Sequence, residues 1–204
     1  GFNSEEKDHF DATSRGYQLI KGLSELRLTN KVFTHGKYTC LKDNSVGSGI
    51  LAYQMEYENE SIYVFMNTSS NSILADNIPL GLSEGTTIKP IYSLNQDSKT
   101  IILSAGGRAS LILEPSAAII YKAEKLSGEV TPLTAKVSID NLKDGSIVET
   151  SKQLNGTTHG LTGLKVVFDG NLNQAITAEE QGNKWTAPLI TDFLSNGSHT
   201  AVVF

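Results

Sequence analysis

The sequence predicts a mainly β chain, two β-sandwich units in tandem with one helix ahead of them. Three observations carry this. Tyr17 to Leu28 places apolar residues at helical spacing; after Asn30 the apolar residues fall into short runs bounded by turn residues; and those runs stop and restart around a charged stretch near residue 125. At 204 residues, 39% hydrophobic and 19% charged, the chain can build two small cores, because domains commonly hold about 100 to 150 residues.

In "YQLIKGLSELRL" the residues Leu19, Ile20, Leu23 and Leu26 recur at three- and four-residue intervals, which puts them on one side of a helix. Gly22 weakens helix propensity and points to close packing there. A lone apolar-faced helix has to cover something, and a partner outside this chain is the expectation. Next, "GILAYQMEY" alternates Leu51, Tyr53, Met55 and Tyr57 with Ala52, Gln54 and Glu56, as a strand with one buried face does. The turn "ENE" leads into "SIYVFMNTS", apolar on both faces from Ile62 to Met66, which marks a central strand. Further strands are predicted at Thr86 to Leu94, Thr100 to Ser104 and Ala109 to Leu113, the last two joined by a glycine turn in "AGGRA". Pro115 has no amide hydrogen for a ladder, so "SLILEPSAAIIY" predicts an edge, a bulge or a change of sheet at that point.

"KAEKLSGEVTPL" is the expected linker, and strand signals restart behind it in "AKVSI", "SIVET", "LKVVFDG", "QAITAEE", "NKWTAPL" and "SHTAVVF", separated by expected turns such as "NLKDG", "LNGT" and "LSNG". The organisation read from these signals is a helix over 1–30, a β-sandwich over 31–122, a linker over 123–134 and a small Ig-like sandwich over 135–204 with Trp185 as its core aromatic.

Composition narrows the function. The net charge of −5, with acidic and basic residues interleaved, leaves no basic tract for phosphates, so nucleic acid and anionic membrane surfaces are excluded as partners. No run of about eighteen apolar residues provides a membrane span, and "GFNSEEKDHF" has no signal-peptide pattern; it reads as a piece of a longer chain. Cys40, the one cysteine, allows neither an internal disulfide nor a thiolate zinc cluster, and reads as a small buried or half-buried side chain.

Taken in order, "YQLIKGLSELRLTNKVFTHGKYTCL", "GILAYQMEYENESIYVFMNTS" and "ASLILEPSAAIIY" resemble the carboxy-terminal region of α-amylase superfamily glycoside hydrolases. The matching pieces are Leu23, Leu26 and Arg27 in the last helix of the catalytic barrel, Phe33 and Gly36 after it, a strand pair ending in Asn67, Thr68 and Ser69, and the strand–proline–strand step from Leu111 to Tyr121. "DGSIV", "KWTAPL" and "NGSHTAVVF" resemble bacterial Ig-like modules, which usually continue beyond the position of Phe204. The resemblance implies an amylase-type C-terminal β-sandwich followed by an Ig-like domain in a secreted or surface-displayed bacterial enzyme acting on starch, glycogen or pullulan, with the missing N-terminal barrel as its partner. The alternatives are a tandem Ig-like segment of a surface adhesin and a free-standing starch-binding module.

That family's hydrolysis needs two carboxylates at barrel strand ends, and its catalytic motifs have no counterpart here. A (β/α)₈ barrel takes about 250 residues, so the region is expected to be non-catalytic, and no cofactor or metal is implied. Glu5, Glu6, Asp8 and Asp11 read as a solvated terminus, His9, His35, His159 and His199 as scattered surface histidines, and "SAGGRA" as a hairpin turn. For α-glucan, which aromatic faces recognise by stacking, the platforms considered are Tyr53, Tyr57, Tyr63, Tyr92 and Trp185, with Trp185 and Tyr92 the candidate carbohydrate-binding residues.

Overall fold

A computed structural model describes residues 11–45, 47–124 and 135–204. The chain is mainly β, as its patterning predicts. Helix α1 (Arg15–Thr29) starts at Ser14, whose hydroxyl accepts the Tyr17 N–H at 3.3 Å, and ends at Asn30, whose Nδ2 donates to Leu26 O at 2.9 Å. It exceeds the predicted span by two residues at one end and one at the other. A single turn, α2 (Val32–His35), follows and drops Val32 into full burial.

The first set of strands is β1 (Lys37–Asp43), β2 (Ile50–Tyr57), β3 (Glu60–Asn67), β4 (Ile73–Pro79), β5 (Thr87–Leu94), β6 (Ile101–Ile102), β7 (Arg108–Leu113) and β8 (Ala118–Ala123). They form a six-stranded sheet in the order β1-β2-β3-β8-β5-β6 and a two-stranded sheet β4-β7. Tyr63, Phe65, Ile119 and Tyr121 of the large sheet pack against Ala75, Ile78, Ala109 and Leu113 of the small one. On its other face Ile62, Val64 and Ile120 pack with Val32 and Leu26 beneath the helices. This double burial is why "IYVFM" shows no alternation. In β2, Tyr53, Met55 and Tyr57 take the helix side and are half-buried, while Ala52, on the face expected to be open, is fully buried. The inner core admits only a small residue there, opposite Phe65.

Pro115 marks a change of sheet. β7 pairs with β4, and after Glu114-Pro115-Ser116-Ala117 the chain re-enters the large sheet as β8 between β3 and β5. Asn67, 2% exposed, pins the corner: its Nδ2 donates to Asn71 O, Leu113 O and Glu114 O at 2.7, 3.1 and 3.0 Å. "AGGRA" is the expected turn, closed by the Ser104–Arg108 bridge with Gly106 and Gly107 at φ 73° and 68°.

Cys40 corrects its expectation, since it is exposed. β1 is an edge strand paired with β2 alone, and a register shift between Cys40 and Lys42 sends Leu41 toward the core in its place.

The expected linker lies outside the described residues from position 125, and residue 123 still belongs to β8. Beyond it run β9 (Lys136–Val137), β10 (Lys152–His159), β11 (Lys165–Phe168), β12 (Ile176–Thr177), β13 (Glu179–Gln181), β14 (Lys184–Leu189) and β15 (Ala201–Val203). A four-stranded sheet β13-β14-β10-β9 and a three-stranded sheet β12-β11-β15 enclose a second core of Leu154, Leu164, Val166, Ala178, Trp185, Ala187 and Leu189. "SIVET" is not a strand: Ile147 is 87% exposed and the segment makes no ladder. The two sets of sheets meet where Leu74 N–H donates to Gly170 O at 3.1 Å and Ile73 bridges Asn171, beside the outer edge of β4.

Candidate docking face

Helix α1 sits on the large sheet by one side only. Arg15 Nη2 donates to Asn95 Oδ1 at 2.9 Å, Gly22 lies against the Tyr92 ring, and Leu26 joins the cluster around Val32, Ile62, Val64 and Ile120. A Cβ on Gly22 would stand 3.2 Å from Tyr92 Cε2, so the glycine is what lets ring and helix approach. The four-residue stripe expected to share one face is divided. Leu19 and Leu26 are half-buried, whereas Ile20 and Leu23 are 68% and 41% exposed, with Leu28 at 85%. Ile20 and Leu28 lie on the outer side of a helix whose inner side is already seated, and Leu23 flanks the seated side, so the helix leaves large aliphatic side chains uncovered.

Aromatic residues extend the exposed apolar surface on the helix-covered side of the sheet. Tyr38 of β1 is 55% exposed and packs on Tyr53 with ring centroids 5.2 Å apart, and His35 packs on Tyr57 at 5.3 Å. Sequence reading missed Tyr38, which sits in the polar-looking run "KYTCLKD"; what places it on this face is its register opposite Met55, which the sequence does not carry.

The two candidate sugar platforms stand apart and differently. Trp185 is 1% exposed in the second core, its Nε1 donating to Ser138 O at 3.0 Å. Neither ring face is open for stacking, because the indole fills the centre of a small sandwich. Tyr92 is half-buried, its ring taken up by Gly22. Tyr63 is fully buried and donates to Leu80 O at 3.0 Å, while Tyr53 and Tyr57 are half-buried on the helix side.

The titratable residues do not converge. Among the described residues no three His, Cys, Asp or Glu side chains are grouped to hold a metal ion. Glu5, Glu6, Asp8 and His9 lie outside the described residues, and Asp11 accepts from Thr13 N–H and Oγ1 at 2.8 and 2.6 Å, bonds that lower its pKa. His159 ends β10 on the surface. His199 is different, since both ring nitrogens are engaged: Nδ1 with Asp169 Oδ2 and Nε2 with Ser195 O, each at 2.7 Å. The Asp169 bond is the main reason its pKa is raised, with the Ser195 carbonyl adding to it. His199 lines an open cleft of about 910 Å³ formed by segments 139–149 and 191–202 with Asp76 and Asn77 of β4. No described helix is long and apolar enough to cross a membrane.

No family model matches the chain. Among curated proteins it is similar to cyclomaltodextrin glucanotransferase of Bacillus sp. strain 1-1, 24% identical over 169 residues, which are 82% of this chain and 23% of that protein. Solved structures with some likeness include the trehalulose synthase of Pseudomonas mesoacidophila MX-45, at 21% identity over 56% of this chain and 18% of that one with a TM-score of 0.44. Another is the α-amylase of Geobacillus thermoleovorans in complex with acarbose, at 18% identity over 57% of this chain and 25% of that one with a TM-score of 0.46. The chain is distantly related to α-amylase-family enzymes over part of their length, and it spans about a quarter of the curated relative it matches.

Proposed function

We propose that this chain is the non-catalytic C-terminal accessory region of a secreted bacterial enzyme that hydrolyses α-glucan, and that α1 is the last helix of its catalytic barrel. The single observation that carries the reading is the two-sidedness of α1. Gly22 and Leu26 are committed to the sheet, while Ile20 and Leu28 face outward and Leu23 flanks the seated side. Burying Ile20 and Leu28 against a partner is worth up to about 1.5–3 kcal/mol each, with less from the part-covered Leu23. The partial relation to cyclomaltodextrin glucanotransferase supports a parent acting on α-glucan. On this reading residues 31–122 are the amylase-type sandwich that covers the barrel, and residues 135–204 are an Ig-like module that spaces or presents the enzyme.

The test is the behaviour of the outer face. The chain alone should bind an environment-sensitive dye such as ANS, and the triple variant Ile20→Ser, Leu23→Ser, Leu28→Ser should lose most of that signal while keeping its unfolding midpoint. Equal dye binding by both forms would sink the docking face. Independently, the coding sequence ahead of Gly1 should specify a (β/α)₈ barrel; strand-rich modules there would point to an adhesin instead.

A further inference from the structure

We propose that His199 is a protonation-dependent latch that fixes the Asp169–Asn171 turn and, through it, the seating of the C-terminal sandwich on the edge of β4. The geometry is one continuous chain of contacts. Asp169 Oδ2 holds His199 Nδ1 at 2.7 Å, its Oδ1 accepts the Thr200 N–H at 2.9 Å, and its own N–H donates to Thr200 O at 2.9 Å. The next residue, Gly170, accepts the Leu74 N–H of β4, and the one after, Asn171, bridges Ile73. Asp169 and Gly170 both adopt left-handed backbone, at φ 53° and 70°, a conformation that an Asp-Gly pair favours, so the bonds of Asp169 set where the turn is held and not its shape.

An imidazolium can donate from both ring nitrogens, and here both face acceptors, Asp169 Oδ2 and Ser195 O. A neutral ring donates from only one, so one nitrogen lone pair would confront an oxygen. Loss of the proton therefore weakens either the grip on Asp169 or the hold on the 195–199 loop. The surroundings favour the cation. Asp169 is the acidic group paired with His199 among the described residues, and the charged groups of the other segments lining the cleft are Asp76 from β4 and Lys143, Asp144 and Glu149 from the 139–149 loop, three carboxylates to one ammonium. Because the folded pKa is raised above its ordinary value, the latch is fully closed below that ordinary value and opens as pH rises through the raised one.

Amide hydrogen exchange followed by NMR on the whole chain tests this. The readouts are the Leu74 and Thr200 amides, each referred to the Tyr63 amide in the centre of β3 to remove intrinsic pH dependence. Between about pH 5 and about pH 9 both protection ratios should fall at least about threefold, the Leu74 and Thr200 amides exchanging faster relative to Tyr63, in step with the His199 Cε1–H chemical shift. The His199→Gln variant, which cannot titrate, should show no step. Asp169→Asn, which keeps an acceptor but loses the charge, should move the step to lower pH. A flat Leu74 ratio in the native chain while His199 titrates, or a step that persists in His199→Gln, overturns the proposal. If His199→Gln does not fold, the native chain's Leu74 ratio alone decides.

Discussion

Asn67 is the side chain on which the strand-switching corner depends. Its amide donates to the two carbonyls just ahead of Pro115, Leu113 O and Glu114 O, and to Asn71 O, and its Oδ1 accepts from Ser69 N–H and Oγ at 2.9 and 2.7 Å, so all its capacity is used within a site that water does not reach. Replacing it by aspartate would aim a carboxylate at three carbonyl oxygens. Asn67→Asp should cost about 3 kcal/mol, seen in urea as a lower midpoint with an unchanged slope. Asn67 could be singled out in the sequence by the Asn-Thr-Ser step at a strand end, but not its three partners, which arrive from more than 40 residues away in two of the three bonds. The same limit hid Tyr38 and misplaced Cys40. Periodicity reports which residues are apolar, whereas exposure on β1 was decided by the bulge at Leu41 and by the strand's edge position.

Among the elements, the apolar ones were legible and the polar ones were not. β3 and the step from β7 to β8 are readable because burial on both faces leaves an unbroken hydrophobic run. β10, "KQLNGTTH", overturns the reading of "LNGT" as a turn: asparagine and glycine argue against a strand, yet the packing demands the glycine there. A Cβ on Gly156 would stand 1.8 Å from Ser138 O and 2.6 Å from Trp185 Nε1. "SIVET" drew the opposite error, β-branched residues with no neighbouring strand to pair with. Gly156→Ala should therefore cost about 3 kcal/mol, since backbone and indole must both move. Trp185, the one tryptophan, should report it as a red-shifted emission maximum. A variant with native emission and stability would show that β10 and β14 can separate more readily than their packing implies.

For the molecule as a whole, the tandem arrangement was foreseeable from where strand signals stop and restart, but the way the two sandwiches meet was not. The meeting rests on backbone atoms of Leu74 and Gly170, which carry no sequence signature beyond a glycine in "FDGN". β4 belongs to a sheet of only two strands, and its outer side is where Gly170 and Asn171 arrive. Removing residues 135–204 would uncover the Ile73–Leu74 rim, an apolar strand border with unmet donors and acceptors, and such borders recruit other chains. A shortened protein ending at residue 134 and carrying Ile20→Ser, Leu23→Ser and Leu28→Ser should sediment as dimers or larger species, where the 204-residue chain with the same three changes should not. The appended sandwich would then act as a stopper against intermolecular strand stacking, whatever else it presents to the outside.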